Sequence, residues 1–326
     1  MKKTTKLASV LMASVLLVMC IFATGCTKEE NDILTIGISQ FGEHGSLDNC
    51  RIGFIEGLRQ EGFVEGENII IEYKNASFDT GNCTTIAQNF VSNDVDLVCA
   101  IATPSAQACY NAAYEKEIPV VYTAITDPVG ANLTEGEVTG TSDVLPVEAQ
   151  LELIKNVLPQ AEKIGILYTT SEANSAYTID MYKSLAGSYG FEIVTKGVSD
   201  ASEVALAIES IMDEVDCFTN LTDNTVVGQL DIMLDKALEA GKPIFGSEIE
   251  QVKKGCLAGE GLEYVDLGVQ TGKMAAKILR GEAKASEIPF ETVSGNYLYI
   301  NNATAEAYGI TFPEVVLDRA IVVDAE

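Results

Sequence analysis

From Ile33 to Phe245 the chain alternates two hydrophobic rhythms. Short β-branched runs predict strands at Ile33–Ser39, Asn68–Tyr73, Asp96–Ala102 and Pro119–Ala124. Stretches with helical spacing predict helices between and after them at Asp48–Gly62, Thr80–Asn93 and Pro104–Lys116. A looser segment rich in Gly, Thr and Pro follows over Asp127–Pro146. The rhythm then restarts, with helices at Val147–Leu158, Ala173–Tyr189 and Val226–Ala240. A further helix runs to Met212 from the capping box Asp200-Ala-Ser-Glu203. The strands of this half are Lys163–Tyr168, Phe191–Thr195, Asp216–Asn220 and Pro243–Gly246. Strands alternating with helices build βαβ units and parallel sheets. The interruption near residue 145 predicts an α/β protein of two Rossmann-like lobes in tandem. The tail (helix Leu267–Leu279, strand Tyr297–Ile300, helix Asn302–Tyr308) is expected to be shared between them through several crossovers and a hinge. The expected lobes are 33–145 plus about 255–285, and 146–254 plus about 286–326.

The first 25 residues read differently. Three Lys within Met1–Lys6 precede an apolar stretch from Leu7 to Phe22 that ends in small residues, the pattern of a signal peptide. Ala23-Thr-Gly-Cys26 resembles a bacterial lipobox, which makes Cys26 the expected lipidation site and 26–32 a tether to the cell membrane.

Composition narrows the function classes. An apolar share of 47% excludes a disordered chain, and 326 residues suffice for two cores. A net charge of −27 argues against a nucleic-acid partner, which needs clustered Lys and Arg. With Cys20 removed and Cys26 acylated, six of the eight Cys remain. Cys99 and Cys217 lie in apolar runs and read as core. One His and no CxxC exclude a His-rich metal site, and neither a metal nor a cofactor is expected. GxGxxG, P-loop, GxSxG and HExxH motifs are absent from the sequence, so it offers no machinery for an enzyme.

Ligands of open α/β sheets bind beyond the carboxyl ends of the strands. Those ends carry Phe41 and His44, then Thr103-Pro104-Ser105, then Thr126-Asp127 in the first half. In the second half they carry Asn174, Asp223-Asn224 and Glu248. Thr103 reads as an N-cap with Pro104 at N1, so free amides and two hydroxyls would receive a carboxylate or phosphate, or Thr103 simply caps its helix. Asp127, Asp223 and Glu248 are carboxylates for an ammonium group, or respectively a turn starter, an N-cap and a solvated loop acid. Together these groups suit a zwitterion. Phe41, Tyr122 and Tyr177 could stack on its side chain or pack in a core. His44 is either a capping residue or a donor to the ligand.

Several ordered segments resemble ABC-transporter substrate-binding lipoproteins, and among them the group associated with tryptophan or tyrosine uptake. They are Ala102-Thr-Pro-Ser-Ala-Gln107, Tyr122–Gly130, Gly140-Thr-Ser-Asp143, Gly165–Ser175 and Phe245-Gly-Ser-Glu248. The resemblance implies a periplasmic-binding-protein type I fold, an aromatic amino acid as ligand and an ABC permease as partner. It also implies a carboxylate site at Thr103, Ser105 and the 124–126 strand end, Ala124 and Thr126 included. Asn174, Asp223 and Glu248 would face that site, with Asp223 on the ammonium. His44-Gly-Ser-Leu-Asp48 departs from the family pattern at Gly45 and Ser46. A monomer is expected, and a surface adhesin using the same body is the alternative reading.

Overall fold

The structure, a computed structural model, describes residues 33–293 and 296–323. The expected signal peptide, tether and Cys26 lie outside the described residues. Strands β1 (Leu34–Gln40), β2 (Ile69–Asn75), β3 (Leu97–Ile101), β4 (Val120–Ile125) and β5 (Val138–Ser142) form a parallel sheet in the order β5-β4-β3-β1-β2. Helices α1 (Gly45–Gln60), α2 (Thr80–Ser92) and α3 (Thr103–Ala113) connect its first four strands. β3, β4 and β5 are buried at every residue, as a sheet covered on both faces requires.

The second lobe repeats the pattern. β6 (Lys163–Thr169), β7 (Glu192–Val198), β8 (Cys217–Thr219) and β9 (Ile244–Phe245) pair in parallel in the order β7-β6-β8-β9. Its helices are α4 (Val147–Val157), α5 (Ala173–Leu185), α6 (Val204–Ile211), the single turn α7 (Asn224–Val227), α8 (Leu230–Ala240) and α9 (Ile249–Lys254). Two apolar clusters flank the sheet. Ile164 and Ile166 of β6 enter one and Leu167 the other, as strand alternation dictates.

The tail is shared. β10 (Ala258–Gly261) joins the second lobe through Gly246 N–H to Ala258 O at 2.8 Å. Helix α10 (Tyr264–Leu279) returns to the first lobe, where β11 (Glu291–Thr292) pairs with β5. β12 (Tyr297–Asn301) then pairs with β10, and the last strand, β13 (Ala320–Val323), with β12. By strand pairing the chain therefore passes between lobes after Asp143, after Gly261 and after β11. The last two passages fall later than about 255 and 285, because β10 (Ala-Gly-Glu-Gly) and β11 (Glu-Thr) carry no apolar alternation.

Two G-x-x-x-G pairs lock α10 onto the first lobe. A Cβ on Gly53 or Gly57 of α1 would lie 2.1 or 2.3 Å from Val265 O or Val269 O. A Cβ on Gly268 or Gly272 of α10 would lie 2.2 or 2.3 Å from Cys50 O or Phe54 O. Backbone thus meets backbone with no side chain between. This contact fixes the N-terminal ends of both helices, which carry His44, Ser46 and Tyr264 to the gap between the lobes. No helix among the described residues is long and apolar enough to cross a membrane.

Candidate ligand-binding site

The C-terminal strand ends of both lobes face one narrow, partly enclosed interlobe cavity. The first lobe contributes His44, Ser46 and Leu47 at the start of α1, Ala124, Thr126 and Asp143 at the ends of β4 and β5, and Tyr264 at the start of α10. The second contributes Asn174, Thr222, Asn224, Val227 and Gln251. A larger hollow of about 560 Å³ beside Tyr110, Tyr114 and Glu137 lies within the first lobe, by the opposite end of β4. The interlobe cavity collects unpaired polar atoms from both lobes, Nδ1 of His44 and Oδ1 of Asn174.

Local structure sets up these groups. His44 is the N-cap of α1, but its side chain makes no capping bond; the first intrahelical acceptance is Asp48 N–H to His44 O at 3.0 Å. The amides ahead of Asp48 keep the positive end of a 16-residue helix without a side-chain cap. At β4, Ala124 adopts φ +58° where the register with β5 shifts, an unusual backbone for a residue with a Cβ. The kink turns Thr126 back toward β5, and its hydroxyl donates to Asp143 Oδ1 at 3.0 Å. Tyr264 O–H donates to Asp143 Oδ2 at 2.8 Å. The Asp143 carboxylate is 2% exposed, and burial raises its pKa against the pull of the two hydroxyls.

Opposite stands a cluster built on Glu172. Its carboxylate accepts from Asn224 N–H (3.0 Å), Asn224 Nδ2 (2.7 Å), Thr225 N–H (3.1 Å) and Thr225 O–H (2.9 Å). Burial first, and the nearby Asp223 second, raise its pKa. With its amide nitrogen spent on Glu172, Asn224 presents Oδ1 to His44 Nε2 at 3.3 Å. That makes Nε2 the protonated nitrogen of a neutral ring. Burial lowers the His44 pKa to about 4, so the ring is neutral at pH 7. Nδ1 of His44 and Oδ1 of Asn174 are both buried without a partner. Buried orphan acceptors are rare in a finished fold, and two in one cavity point to a missing donor.

Five of the sequence-predicted residues reach this wall: His44, Ala124, Thr126, Asn174 and Asn224. The other six do not. Asp223 is fully buried as the N-cap of α7, and accepts from Thr169 N–H (2.5 Å), Thr169 O–H (2.8 Å), Ser175 O–H (2.7 Å) and Val226 N–H (2.9 Å). Four donors leave it nothing for an ammonium group, which corrects that assignment. Glu248 is not a loop acid but the N-cap of α9, accepting from Glu250 and Gln251 N–H at 2.7 and 3.0 Å. Asp127 starts a turn, accepting from Gly130 N–H at 2.9 Å. Thr103 is already helical, because Ala102 (φ +76°) holds the N-cap of α3. Ser105 is fully buried, bonded to Ser39 at 3.3 Å and to Cys83 at 3.5 Å. Phe41 packs edge-on against Phe78 at 5.8 Å, outside the cavity. Tyr122 is fully buried and Tyr177 exposed, and neither lines the cavity. Sequence reasoning missed Ser46, Leu47, Asp143, Thr222, Val227, Gln251 and Tyr264. Only Asp143 carried a signal, as the end of Gly140-Thr-Ser-Asp143.

A family model described as ABC transporter substrate binding protein matches residues 35–323. The chain belongs to that family. It is similar to the Tyrosine-binding protein of Clostridioides difficile (strain R20291), at 39% identity over 94% of this chain and 93% of that one. The ABC domain in complex with L-Trp from Streptococcus pneumonia superposes with a TM-score of 0.86 at 36% identity, over 89% of this chain and 99% of that one. The ligand-free, open structure of a substrate binding protein with adhesive properties from Clostridium difficile gives 0.67 at 38% identity, over 90% and 100%. Identity is nearly equal in the two comparisons, while the superposition is better on the L-Trp complex than on the ligand-free, open structure. This ABC substrate-binding protein has a periplasmic-binding-protein type I fold of two lobes.

The lobes meet in direct contacts. Besides His44 to Asn224, Asn49 Nδ2 donates to Glu250 Oε1 at 3.1 Å, and Ser46 O–H donates to Glu248. Burial lifts the Glu248 pKa to about 7. Ser46 therefore both borders the cavity and ties α1 to α9 across the gap.

Proposed function

We propose that this protein is the extracytoplasmic receptor of an ABC importer and closes on a free aromatic amino acid, tyrosine or tryptophan. One observation carries the reading. A buried carboxylate held by two hydroxyls, Asp143, shares an interlobe cavity with the uncapped start of α1. A zwitterion satisfies both. Its ammonium goes to Asp143, with Thr126 and Tyr264 holding the carboxylate in place. Its carboxylate goes to the amides of the first turn of α1 at Ser46 and Leu47. Leu47, Val227, Ala124 and the face of His44 bound the space left for a side chain, and Asn174 and Asn224 supply polar contacts from the other lobe. The ligand touches both lobes only when they are closed, so it draws the population to that state. The aromatic preference rests on the relatives that bear tyrosine in their name or L-Trp in their structure.

The same reading makes residues 1–25 a signal peptide, Cys26 the acylated anchor, and the working unit a monomer that delivers its ligand to a membrane permease. It is a carrier, not an enzyme. The buried acids Glu172, Asp223 and Glu248 are held by backbone amides in capping roles. The protein contains no Trp, so bound L-tryptophan can be followed by its own fluorescence. Saturable L-tryptophan or L-tyrosine binding is expected. No signal and no calorimetric heat with tryptophan, tyrosine or phenylalanine would refute the reading. A second role as a surface adhesin is favoured by the relative described as adhesive. Cell attachment that survives loss of amino-acid binding would support it.

A further inference from the structure

Two spaces lie between the lobes. Outside the inner cavity a wider hollow opens, bordered by Phe41, Phe78 and Pro104 on one lobe and Thr169, Glu172 and Thr225 on the other. Two side chains, His44 and Phe78, stand between them. His44 lines the inner space and Phe78 the outer, with ring planes 8° apart and centroids at 6.4 Å. On the second lobe the boundary passes between Asn224 and Thr225, adjacent residues on opposite sides of it. The Phe78 ring spans the gap. A Cβ built on Gly228, next to the cavity residue Val227, would stand 3.3 Å from Phe78 Cζ.

The backbone is bent to put the ring there. Ser77 and Phe78 have φ of +55° and +61°, two successive left-handed residues of which neither is glycine. Phe78 N–H donates to Phe41 O at 2.8 Å and Ser77 N–H to Asn75 Oδ1 at 2.7 Å, which pins the turn. A Cβ on Gly42 would come within 2.1 Å of the ring, so the bare backbone of Gly42 is its seat. Backbone strain of this kind persists where the surroundings enforce it, and it gathers at ligand clamps. Here it seats a large apolar ring at the edge of its own lobe's core, against Phe41, and brings it across the cleft to Gly228.

We propose that Phe78 is the gate of the ligand cavity and sets how long a bound aromatic amino acid stays. The proposal rests on the reading of the inner cavity given above. Entry takes place in the open form, where the second lobe does not face the ring, and release runs back through the same opening. The ring must move off Gly228 before the lobes can part on the side of the outer hollow. Loss of the ring therefore changes dissociation far more than association.

The test uses Phe78→Ala and Phe78→Gly. Glycine accepts a φ of +61° without strain, so the second variant keeps the turn folded even if the first does not. Release of L-tryptophan is followed by stopped-flow fluorescence. Removing the ring is expected to raise koff by at least ~10-fold while kon stays within ~3-fold, with Phe78→Leu in between. A koff within ~2-fold of wild type in Phe78→Gly would overturn the gate, as would a weaker affinity arising from kon alone. If wild-type protein binds neither tryptophan nor tyrosine, the functional reading falls and the gate falls with it. Wild-type binding with unchanged release sinks the gate alone.

Discussion

Asp143→Asn separates ligand recognition from folding better than any other change in the site. The substitution keeps shape and turns one oxygen into an amide nitrogen. In the unliganded protein Asp143 is buried against two neutral hydroxyls, from Thr126 and Tyr264, each of which can donate or accept. Burial already disfavours its charge, so the neutral amide should change stability by less than about 1 kcal/mol. With an amino acid bound, the loss is different in kind. A charge-assisted bond is replaced by a contact that leaves a buried ammonium uncompensated, at a cost of about 2–4 kcal/mol. That corresponds to a Kd raised by ~30-fold to ~1000-fold. Tryptophan fluorescence titration and calorimetry with tyrosine read the affinity, and urea melts read the stability. Wild-type affinity should also fall as pH drops through the raised pKa of Asp143, because the ligand binds the ionised form; Asp143→Asn should lose that dependence. A Kd within ~3-fold of wild type with an unchanged melt would place the ammonium elsewhere and defeat the argument.

Three further outcomes follow from the same geometry. Asp223→Ala strands the buried amides of Thr169 and Val226 and should destabilise by about 3 kcal/mol in urea. The folded fraction should bind tryptophan within ~3-fold of wild type; a normal melt with lost affinity would return Asp223 to the ligand site. Gly272→Val drives a side chain into Phe54 O, where even a Cβ would lie 2.3 Å away, and should cost about 2–4 kcal/mol or prevent folding. Gly187→Ala, with nothing within 4 Å, should stay within about 0.5 kcal/mol, and equal melts for the two variants would refute the close helix contact. Glu248 has an ordinary pKa of 4.5 and one of about 7 in the fold, so between these values the native state holds a proton that the unfolded chain has released. Its contribution to stability therefore rises as pH falls from about 7 to 4.5, by up to about 1.4 kcal/mol per pH unit. His44, depressed to about 4, works in the opposite sense below 6.5, so the comparison is wild type minus Glu248→Gln. Equal pH profiles for the two proteins would refute it.

The strands that could be read from sequence are those that announce themselves by apolar runs, such as Leu97–Ile101 and Val120–Ile125. β5 lies inside the segment 127–146, whose pattern reads as a loop. Its sequence, Val-Thr-Gly-Thr-Ser, is polar, yet all five residues are buried. Each hydroxyl found a partner that sequence does not show. Thr139 donates to Ile288 O at 2.7 Å, Thr141 pairs with Thr271 at 2.7 Å, and Ser142 donates to Thr126 O at 3.2 Å. Two of those partners come from the tail that returns to this lobe. A polar strand can be buried only after a distant segment covers it, so no local pattern could have marked it.

The site failed to read out for a related reason. The strand-end rule points to the gap between the lobes, and charge there reads as the mark of a ligand contact. Charge proved a poor guide, because acids at strand ends stand next to helix starts, and helix starts supply amides. Asp223 and Glu248 were absorbed by the first turns of α7 and α9. Asp143 was not, because it precedes the extended passage into the second lobe and no helix begins close enough to cap it; the first turn of α4 starts only at Val147. His44 is the converse case, a residue at the N-cap position whose side chain declines to cap. What identifies the ligand wall is unspent hydrogen-bonding capacity: Nδ1 of His44, Oδ1 of Asn174, the open amides of α1, and the free lone pairs of Asp143. That quantity depends on where each helix begins to within one residue, as the shift of the α3 N-cap from Thr103 to Ala102 shows. An error of one position exchanges a capped acid for a free one, so prediction of binding residues in this fold is limited by the registration of helix starts rather than by knowledge of the chemistry.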